Sequence, residues 1–354
     1  MTKIEGLLSA LGPGEGYLIV TPVNRRYLTG FPSSLGYLLL GGGEALLLMD
    51  GRYFEAAGKA VKPPVSVAEM HRLSEQLEEA AGRMGIDTIY TETEITVREL
   101  EGLRRLLPGR RVEASQSLTD RLEGLRAVKT TDEVDFIRRA QSMAEAAFLD
   151  ILNYIQPGVA EADIALELDY RMRKAGAEDL AFETIAVAGA NASLPHGVPG
   201  SYKVQAGDFV VMDFGAVCGG YRSDMTRTVA VGHADEEMRR VYDTVLTAQK
   251  AALAVLRPGL ACAEGDRAAR SVIEAAGYGD CFNHSTGHGV GLEIHEKPNL
   301  SYRSEAVLME GQIVTVEPGI YLPGKFGVRI EDMVYLTAQG CENLTRAPGE
   351  LLVL

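Results

Sequence analysis

Five ionisable side chains stand in sequence that otherwise predicts buried β-strands. They are four carboxylates and one imidazole, each flanked by glycine or β-branched residues: Asp213, Asp224, His288, Glu317 and Glu331. Three of the acids follow short apolar runs, so three predicted strands each place a carboxylate near one end: Phe209–Met212, Ile313–Val316 and Gly327–Ile330. Because an unpaired buried charge is costly, strands that converge on acids need cations between them.

Asp224 opens a fourth predicted strand. Polar and apolar residues alternate through the stretch that follows it, Thr226–Val231, which is typical of a β-strand. Gly219-Gly220 lies between the first strand and this one and predicts a hairpin that pairs them. Asp213 and Asp224 are therefore expected on neighbouring strands.

The composition of this group predicts a site for two divalent metal ions. Four carboxylates and one neutral imidazole carry a charge of about −4, which balances two divalent cations. Oxygen-rich ligation with one nitrogen suits Mn²⁺, the metal expected here, with Co²⁺ and Zn²⁺ as alternatives. Such a pair of ions can hold water as hydroxide at neutral pH, so the residues indicate a hydrolase.

Composition and charge narrow the class of protein. With 354 residues, of which 46% are hydrophobic and 24% charged, the chain can bury two sizeable cores in two or three domains. Its net charge of −14 argues against nucleic acid or an anionic membrane as a partner, because binding phosphate needs an excess of Lys and Arg. The N-terminal residues lack the apolar core of a signal peptide, and no long apolar run follows, so we expect a cytoplasmic protein.

The pattern of predicted elements places a domain boundary near residue 125. Before it, predicted strands at 16–20, 37–40 and 45–49 are followed by predicted helices at 74–84 and 97–107, the pattern of an α/β layer domain. After it, Thr130 and Glu133 have the spacing of a capping box and open a long amphipathic helix. We expect one domain over residues 1–125 and a second over residues 126–354.

The second predicted domain contains an internal repeat. Ile155–Val159 recurs as Leu256–Leu260, and Lys174–Gly176 recurs as Ala275–Gly277, both at an offset of 101 residues. Each half is predicted as helix, Pro-Gly turn, helix, glycine stop and strands. Two such halves packed together would form one curved antiparallel sheet with helices behind it and a site on the concave face.

These residues and motifs resemble the pita-bread metallopeptidases, the family of aminopeptidase P, prolidase and methionine aminopeptidase. The resemblance covers essentially the whole chain and implies an α/β (α+β) fold, with a creatinase-like N-terminal domain and a pita-bread catalytic domain. It further implies that Asp213 chelates one metal, that Asp224 and Glu331 bridge both, and that His288 and Glu317 hold the other. Glu317 would also act as the general base. No ligand position departs from the family pattern.

Three further histidines and one arginine are candidates for the chemistry of amide hydrolysis. His196, His284 and His295 lie beside glycine, proline or acidic residues, and attack on an amide needs donors for the oxyanion and a proton for the leaving nitrogen. By resemblance, His196 and His295 would contact the substrate around the scissile carbonyl, and His284 would support the pocket. Arg329 would hold the surroundings of Glu331 or a substrate carboxylate, or would form a purely structural ion pair.

The N-terminal half indicates the branch of the family. Asn24–Phe31 and Asp50–Tyr53 resemble the domain shared by aminopeptidase P, prolidase and creatinase, which methionine aminopeptidases lack. Creatinase lacks the metal-binding acids, so we expect an Xaa-Pro aminopeptidase that uses a two-metal-activated hydroxide on proline-containing peptides. The alternatives are an Xaa-Pro dipeptidase, for which Arg52, His71 and Arg72 are candidate carboxylate-binding residues, and a non-catalytic binding module.

We also expect a homodimer or larger homo-oligomer. A site on the open face of a curved sheet needs a wall to exclude water and limit peptide length. Residues 1–125 contain no ligand candidate of comparable strength, so the N-terminal domain of one subunit is predicted to close the site of another.

Overall fold

The computed structural model describes residues 2–354, which divide into two compact units. The first ends at Arg126 and the second begins at Ala127. Within residues 2–354, no helix combines the length and the apolar character that crossing a bilayer requires.

The first unit is a six-stranded mixed sheet with helices. Its helices are α1 Lys3–Leu8, α2 Pro22–Thr29, α3 Gly51–Ala60, α4 Leu73–Arg83, α5 Val97–Leu106 and α6 Gln116–Ala127. Its strands are β1 Glu15–Ile19, β2 Gly36–Gly41, β3 Glu44–Met49, β4 Val65–Glu69, β5 Thr88–Thr91 and β6 Arg111–Ala114, in the spatial order β4-β3-β2-β1-β5-β6. All three predicted strands and both predicted helices of this region are confirmed.

The core of the first unit lies between the sheet and two of its helices. Leu18, Leu39 and Leu48 from the central strands pack in one cluster with Leu77 of α4 and Leu103 of α5, and all are buried. Antiparallel pairing of β1 with β2 and β2 with β3 is combined with parallel pairing at both edges of the sheet. Because helices cover the sheet, its strands are near-continuous apolar runs.

The second unit contains two helix pairs and thirteen strands, together with short 3₁₀ helices at Gly189–Ser193 and Gly279–Cys281. The helices are α7 Thr131–Ile151, α8 Glu161–Lys174, α9 Glu236–Val255 and α10 Cys262–Ala275. The strands are β7 Ile185–Ala188, β8 Phe209–Phe214, β9 Val217–Cys218, β10 Tyr221–Arg222, β11 Met225–Ala230, β12 Gly287–Gly289, β13 Glu296–Leu300, β14 Ile313–Val316, β15 Gly319–Leu322, β16 Phe326–Arg329, β17 Asp332–Thr337, β18 Gly340–Asn343 and β19 Leu352–Val353. The predicted capping box at the start of α7 is confirmed, with the Thr130 hydroxyl accepting from the Glu133 amide and the Glu133 carboxylate accepting from the Thr130 amide.

The predicted repeat is visible in the backbone of both halves. Gly158 and Gly259, which follow the two prolines, have φ of 96° and 86°. Their amides donate to equivalent carbonyls, Gly158 N to Val204 O and Gly259 N to Leu308 O, both at 2.8 Å. A positive φ favours glycine, which explains why the same Pro-Gly turn recurs in the sequence.

Backbone hydrogen bonds divide the strands of the second unit between two principal sheets, where the sequence predicted one continuous sheet. One sheet has the order β19-β11-β8-β7 and the other β13-β12-β14-β17-β18. β11 contacts β16 and the segment after it through two kinds of hydrogen bond. The Thr228 hydroxyl donates to Arg329 O at 2.9 Å and accepts from Arg329 N at 3.2 Å, and the backbone of Glu331 donates to Thr226 O at 3.1 Å. The two halves therefore meet through a side chain and a backbone hydrogen bond at the place where their acids lie.

Candidate metal centre

Each of the five candidate ligands lies in or beside a strand of the second unit. Asp213 is in β8, opposite Thr226 of β11, and Asp224 directly precedes β11, as the hairpin predicted. Glu317 follows β14 and Glu331 lies between β16 and β17. The predicted strand ends are confirmed, and the antiparallel pairing explains why acids distant in sequence converge.

His288 is the central residue of the short strand β12. A Cβ on Gly287 would lie 2.0 Å from Thr315 O, and one on Gly289 would lie 2.4 Å from Lys297 O. Glycine on both sides therefore allows the neighbouring strands to approach closely. A β-bulge between His288 and Gly289 shifts the register, and such bulges re-aim the side chain at that position.

Asp224, His288 and Glu331 form the tightest group of possible ligands. One ligand atom from each lies within 4.8 Å of the others, and all three residues are buried. The first belongs to one half of the repeat and the other two belong to the second half. Asp213 and Glu317 border the same cavity but lie outside this group.

The acids repel one another in the protein alone. Burial, followed by the charges of Glu331, Asp213 and Glu317, raises the pKa of Asp224 well above its usual value. Burial and the charges of Glu317 and Asp213 do the same for the pKa of Glu331. Divalent cations between these carboxylates would remove that repulsion.

Two buried carboxylate oxygens indicate where cations fit. Glu331 Oε2 accepts from Thr226 Oγ1 at 2.7 Å, and Asp213 Oδ2 accepts from Arg329 Nη2 at 2.5 Å. The other oxygen of each carboxylate, Glu331 Oε1 and Asp213 Oδ1, is buried without a hydrogen-bond partner. An unpartnered buried oxygen is costly unless a cation binds it, so the residues present fit the metal pair that the sequence predicts.

The tautomer of His288 supports the same interpretation. Its Nδ1 lies 3.0 Å from Gly289 O, and a carbonyl can only accept, so Nδ1 carries the proton in the neutral ring. The unprotonated Nε2 then faces Glu317 Oε1 at 3.3 Å and Asp224 Oδ2 at 3.6 Å. A lone pair directed at two carboxylates needs a proton or a metal ion between them, and a backbone carbonyl on the other nitrogen is the usual partner of a metal-binding histidine.

Glu317 has a different environment from the other acids. Its Oε1 accepts from Thr315 Oγ1 at 3.1 Å. Burial alone would raise its pKa, but when the His288 ring is protonated, as the protein without metal favours, its hydrogen bond and its charge lower the pKa of Glu317 to about 2. For the same reason the pKa of His288 is raised, although burial opposes its protonation. Glu317 is therefore ionised at neutral pH.

Arg329 is buried and fully engaged by the protein. Its Nη2 donates to Asp213, its Nη1 to Tyr321 Oη at 2.8 Å and Pro195 O at 3.0 Å, and its Nε to Thr226 Oγ1 at 3.0 Å. The Thr226 hydroxyl donates in turn to Glu331. Of the alternatives the sequence left open, the structure shows an ion pair with Asp213 and an indirect connection to Glu331.

The ligand candidates line a cavity of about 670 Å³ in the second unit, and so do His196, His284, His295 and Arg329. The ring of His295 lies 4.3 Å from that of His288, and burial and the neighbouring His288 lower the pKa of His295. Both nitrogens of His284 are engaged, Nδ1 with Ser285 O at 2.8 Å and Nε2 with Tyr321 Oη at 3.0 Å. All predicted site residues are therefore brought together, and their individual roles stay predictions.

Several residues of the site escaped the sequence analysis. Thr226 and Thr315 donate to candidate ligands, and Tyr321 connects Arg329 to His284. Alternation in the strand could have indicated Thr226, because it lies two residues after Asp224 and so on the same face. No comparable signal marks Tyr321, whose role depends on contacts between three separate strands and loops.

Comparisons with known proteins identify the family. The model for metallopeptidase family M24 matches residues 135–338, and that for the creatinase/prolidase N-terminal domain matches residues 3–128. The chain belongs to metallopeptidase family M24. The predicted family, fold class and metallopeptidase activity are confirmed, and the family implies divalent metals without fixing which ones.

Particular relatives match over nearly the full chain. This chain is 38% identical to an Xaa-Pro dipeptidase of Pyrococcus furiosus, over 94% of each chain. An Xaa-Pro dipeptidase from Bacillus anthracis has a similar structure, with a TM-score of 0.95, 38% identity and 99% of each chain covered. An X-Pro aminopeptidase from Thermotoga maritima has a TM-score of 0.91 and 35% identity, covering 99% of this chain and 100% of that one.

Proposed function

We propose that this protein is a metal-dependent peptidase that hydrolyses the N-terminal Xaa–Pro bond of peptides. The observation that carries the proposal is the convergence of four carboxylates and His288 on one cavity, where Asp213 and Glu331 each have a buried oxygen without a hydrogen-bond partner. Relatives named for Xaa-Pro dipeptidase and X-Pro aminopeptidase activity support the substrate class.

The metal pair would be held by Asp213, Asp224, His288, Glu317 and Glu331. When bound, two divalent ions polarise a carbonyl and make water a stronger nucleophile. Asp224 and Glu331 come from different halves and lie with His288 in the tightest group of possible ligands, so both halves would help to hold the pair.

The surrounding side chains would handle protons and orient the peptide. Glu317 Oε1 lies 3.3 Å from His288 Nε2, beside the ligand group, so Glu317 would accept the proton of the attacking water. His196 and His295 line the cavity and would donate N–H groups to the developing oxyanion. His284 would hold Tyr321 and not the substrate, because both of its ring nitrogens already have protein partners.

The lining of the cavity favours an aminopeptidase over a dipeptidase. A dipeptidase must recognise the carboxylate of the proline, which ordinarily requires a cation. Among the described residues that line the cavity, Arg329 is the only lysine or arginine. All three of its side-chain nitrogens already donate to protein atoms. The second candidate is an Xaa-Pro dipeptidase, which the names of the relatives from Pyrococcus furiosus and Bacillus anthracis favour.

Substrate length separates these two candidates. The Mn²⁺-loaded protein would be assayed with an Xaa-Pro dipeptide, an Xaa-Pro-Yaa tripeptide and an Xaa-Ala-Yaa control. We expect cleavage of the tripeptide at the Xaa–Pro bond and little cleavage of the control. Cleavage of the dipeptide alone would favour the dipeptidase, and no cleavage of either proline peptide would contradict the proposed function. Metal content tests the third possibility, a non-catalytic binding module, which would be purified without metal.

The role of the first unit and the assembly are separate parts of the proposal. We expect a homodimer or larger assembly in which the first unit limits the length of accepted peptides. Removing residues 1–125 should then broaden the accepted lengths while leaving metal binding intact. A fully active monomer in sedimentation at micromolar concentration would contradict the assembly. The cytoplasmic location stays a prediction.

A further inference from the structure

A carboxylate outside the metal cavity contacts the segment that carries His196. Glu161 is the first residue of α8 and is completely buried. Among residues 2–354, no Lys, Arg or His forms an ion pair with it. A buried carboxylate without a counter-cation is costly unless hydrogen bonds meet its charge, so its donors define what it does in the fold.

All the side-chain hydrogen bonds of Glu161 come from one stretch of chain. Ala188 N at 2.7 Å and Asn191 Nδ2 at 3.1 Å donate to its Oε1, and Gly200 N at 3.0 Å donates to its Oε2. We call residues 188–200 the His196 loop. Ala188 and Gly200 are the two ends of this loop, so a single side chain ties both ends together.

The loop begins with a buried turn, in which Ala192 and Ser193 are 1% and 9% exposed, and continues into an exposed tip. Leu194 and Val198 are 56% and 84% exposed, so apolar packing contributes little at the tip. Pro195 O accepts from Arg329 Nη1 at 3.0 Å, and Pro195 and His196 line the metal cavity. The tip of the loop is therefore held by Arg329. Its ends are held by Glu161 together with backbone contacts, since Ala188 pairs with Val210 and Gly200 O accepts from Ala162 N at 3.0 Å.

We propose that Glu161 is a positioning residue for His196, whose contact with the substrate is part of the proposed function. By joining the ends of the His196 loop, the carboxylate fixes where the imidazole lies before a peptide binds. A displacement of about 1 Å at a reacting group costs on the order of 10²-fold in rate, so loss of the tie lowers turnover without touching the metal centre.

The geometry predicts what Glu161→Gln does. A carboxylate accepts with both oxygens, whereas an amide accepts with one and donates with the other. If the amide oxygen keeps Ala188 N, its NH₂ group faces Gly200 N–H, and the opposite orientation places it against Ala188 N–H. Either orientation sets a donor against a donor, so one end of the loop loses its hydrogen bond to residue 161 and is held less firmly. Glu167→Gln is the matched control, because Glu167 lies in the same helix and pairs with Arg171 at the surface.

The experiment has a structural and a kinetic measurement. Hydrogen exchange followed by mass spectrometry should show faster exchange in peptides from the His196 loop of Glu161→Gln than in the wild type or Glu167→Gln. With Mn²⁺ bound at the wild-type stoichiometry, kcat/KM for an Xaa-Pro-Yaa tripeptide should fall by on the order of 10-fold to 100-fold. Combined with His196→Ala, Glu161→Gln should cause no further loss, because the two changes act through the same imidazole.

Each outcome decides one part of the account. A wild-type protein that cleaves no Xaa–Pro bond contradicts the proposed function. The exchange measurement would still test whether Glu161 holds the His196 loop in place. Unchanged exchange in Glu161→Gln, an unchanged kcat/KM, or a loss that persists in full beside His196→Ala would overturn the positioning role. If Glu161→Gln does not fold, Glu161→Asp replaces it, since it keeps the charge but is one methylene too short to keep the hydrogen bonds to both ends of the loop. Faster exchange and lower kcat/KM in that variant support the proposal, and wild-type values in both overturn it.

Discussion

The two halves of the second unit share a scaffold and differ in what they attach to it. In each half a helix pair is joined through a Pro-Gly turn whose glycine has a positive φ and bonds to an equivalent carbonyl. Asp213 and Asp224 come from paired strands of the first half, whereas His288, Glu317 and Glu331 come from three separate strands of the second. Repetition therefore explains the framework, and the metal centre requires both halves.

The loops beside the site show the same contrast. In the first half, Glu161 is buried without a counter-cation and holds the His196 loop by hydrogen bonds alone. In the second half, Asp266 is also buried and accepts from Thr286 N and Oγ1, but Arg270 neutralises it with two further bonds. Equivalent helices thus position a histidine-bearing segment in both halves. Hydrogen bonds alone meet the charge of the carboxylate in the first half, and an arginine neutralises it in the second.

The largest expected effect comes from removing one bridging candidate from either half. Asp224→Asn and Glu331→Gln should each lower activity by on the order of 10³-fold or more, because metals supply several kcal/mol of charge stabilisation. Each variant should also bind fewer than two ions. Asp208→Asn, a carboxylate of the same region that binds Tyr202 outside the cavity, is the control for the first variant. Metal content and turnover would be measured together.

Unequal effects of these two variants would show that the two halves contribute differently to the metal centre. If Asp224→Asn kept both ions and its activity while Glu331→Gln lost them, the first half would not share the centre. In the metal-free protein, Asp224→Asn should not lower the thermal midpoint, because the pKa of Asp224 is raised by burial and by its neighbouring acids.

A smaller effect is expected from a histidine of the second half. His295→Ala should lower kcat by on the order of 10²-fold, the loss expected for one oxyanion donor, while metal content stays unchanged. His233→Ala, an exposed histidine outside the cavity, should be indistinguishable from the wild type. A normal kcat for His295→Ala would show that the ring next to His288 is structural.

Tyr321→Phe tests a connection that crosses between the halves. The Tyr321 hydroxyl accepts from Arg329, which pairs with Asp213 of the first half, and contacts His284 of the second. Its removal should lower kcat by about 10-fold, and loss of buried hydrogen bonds should cost about 1 kcal/mol of stability. Tyr242→Phe also removes a buried hydroxyl, bonded to Gly349 O, and should lower stability alone. Equal kinetics in the two variants would contradict a role for Tyr321 in the site.

The smallest effects should be the same in both halves. Gly158→Ala and Gly259→Ala should each lower the free energy of unfolding by about 1–2 kcal/mol, since φ is positive at both and no atom lies within 4 Å of the added Cβ. Gly58→Ala, an exposed helical position without positive φ, should be neutral or slightly stabilising. Calorimetry would measure all three, and clearly unequal costs at the two turns would weaken the repeat as a structural unit.

The sequence predicted those features that local patterns encode. Apolar runs ending in acids gave the strands of Asp213, Glu317 and Glu331, and equal spacing gave the repeat. Contacts between distant segments could not be predicted in this way. The donors to Glu161 lie 27 to 39 residues away, and the bond from Arg329 to Asp213 spans 116 residues. The contact between the two halves through the Thr228 hydroxyl and Arg329 spans 101 residues and has no local signal either.

The central claim is that both halves together hold two divalent ions. Crystals of the Mn²⁺-loaded protein, with anomalous difference maps collected at the manganese edge, test it most directly. Two peaks are expected in the cavity, with carboxylate oxygens of Asp224 and Glu331 contacting both. A single peak, or two peaks contacted by residues of one half alone, would contradict it.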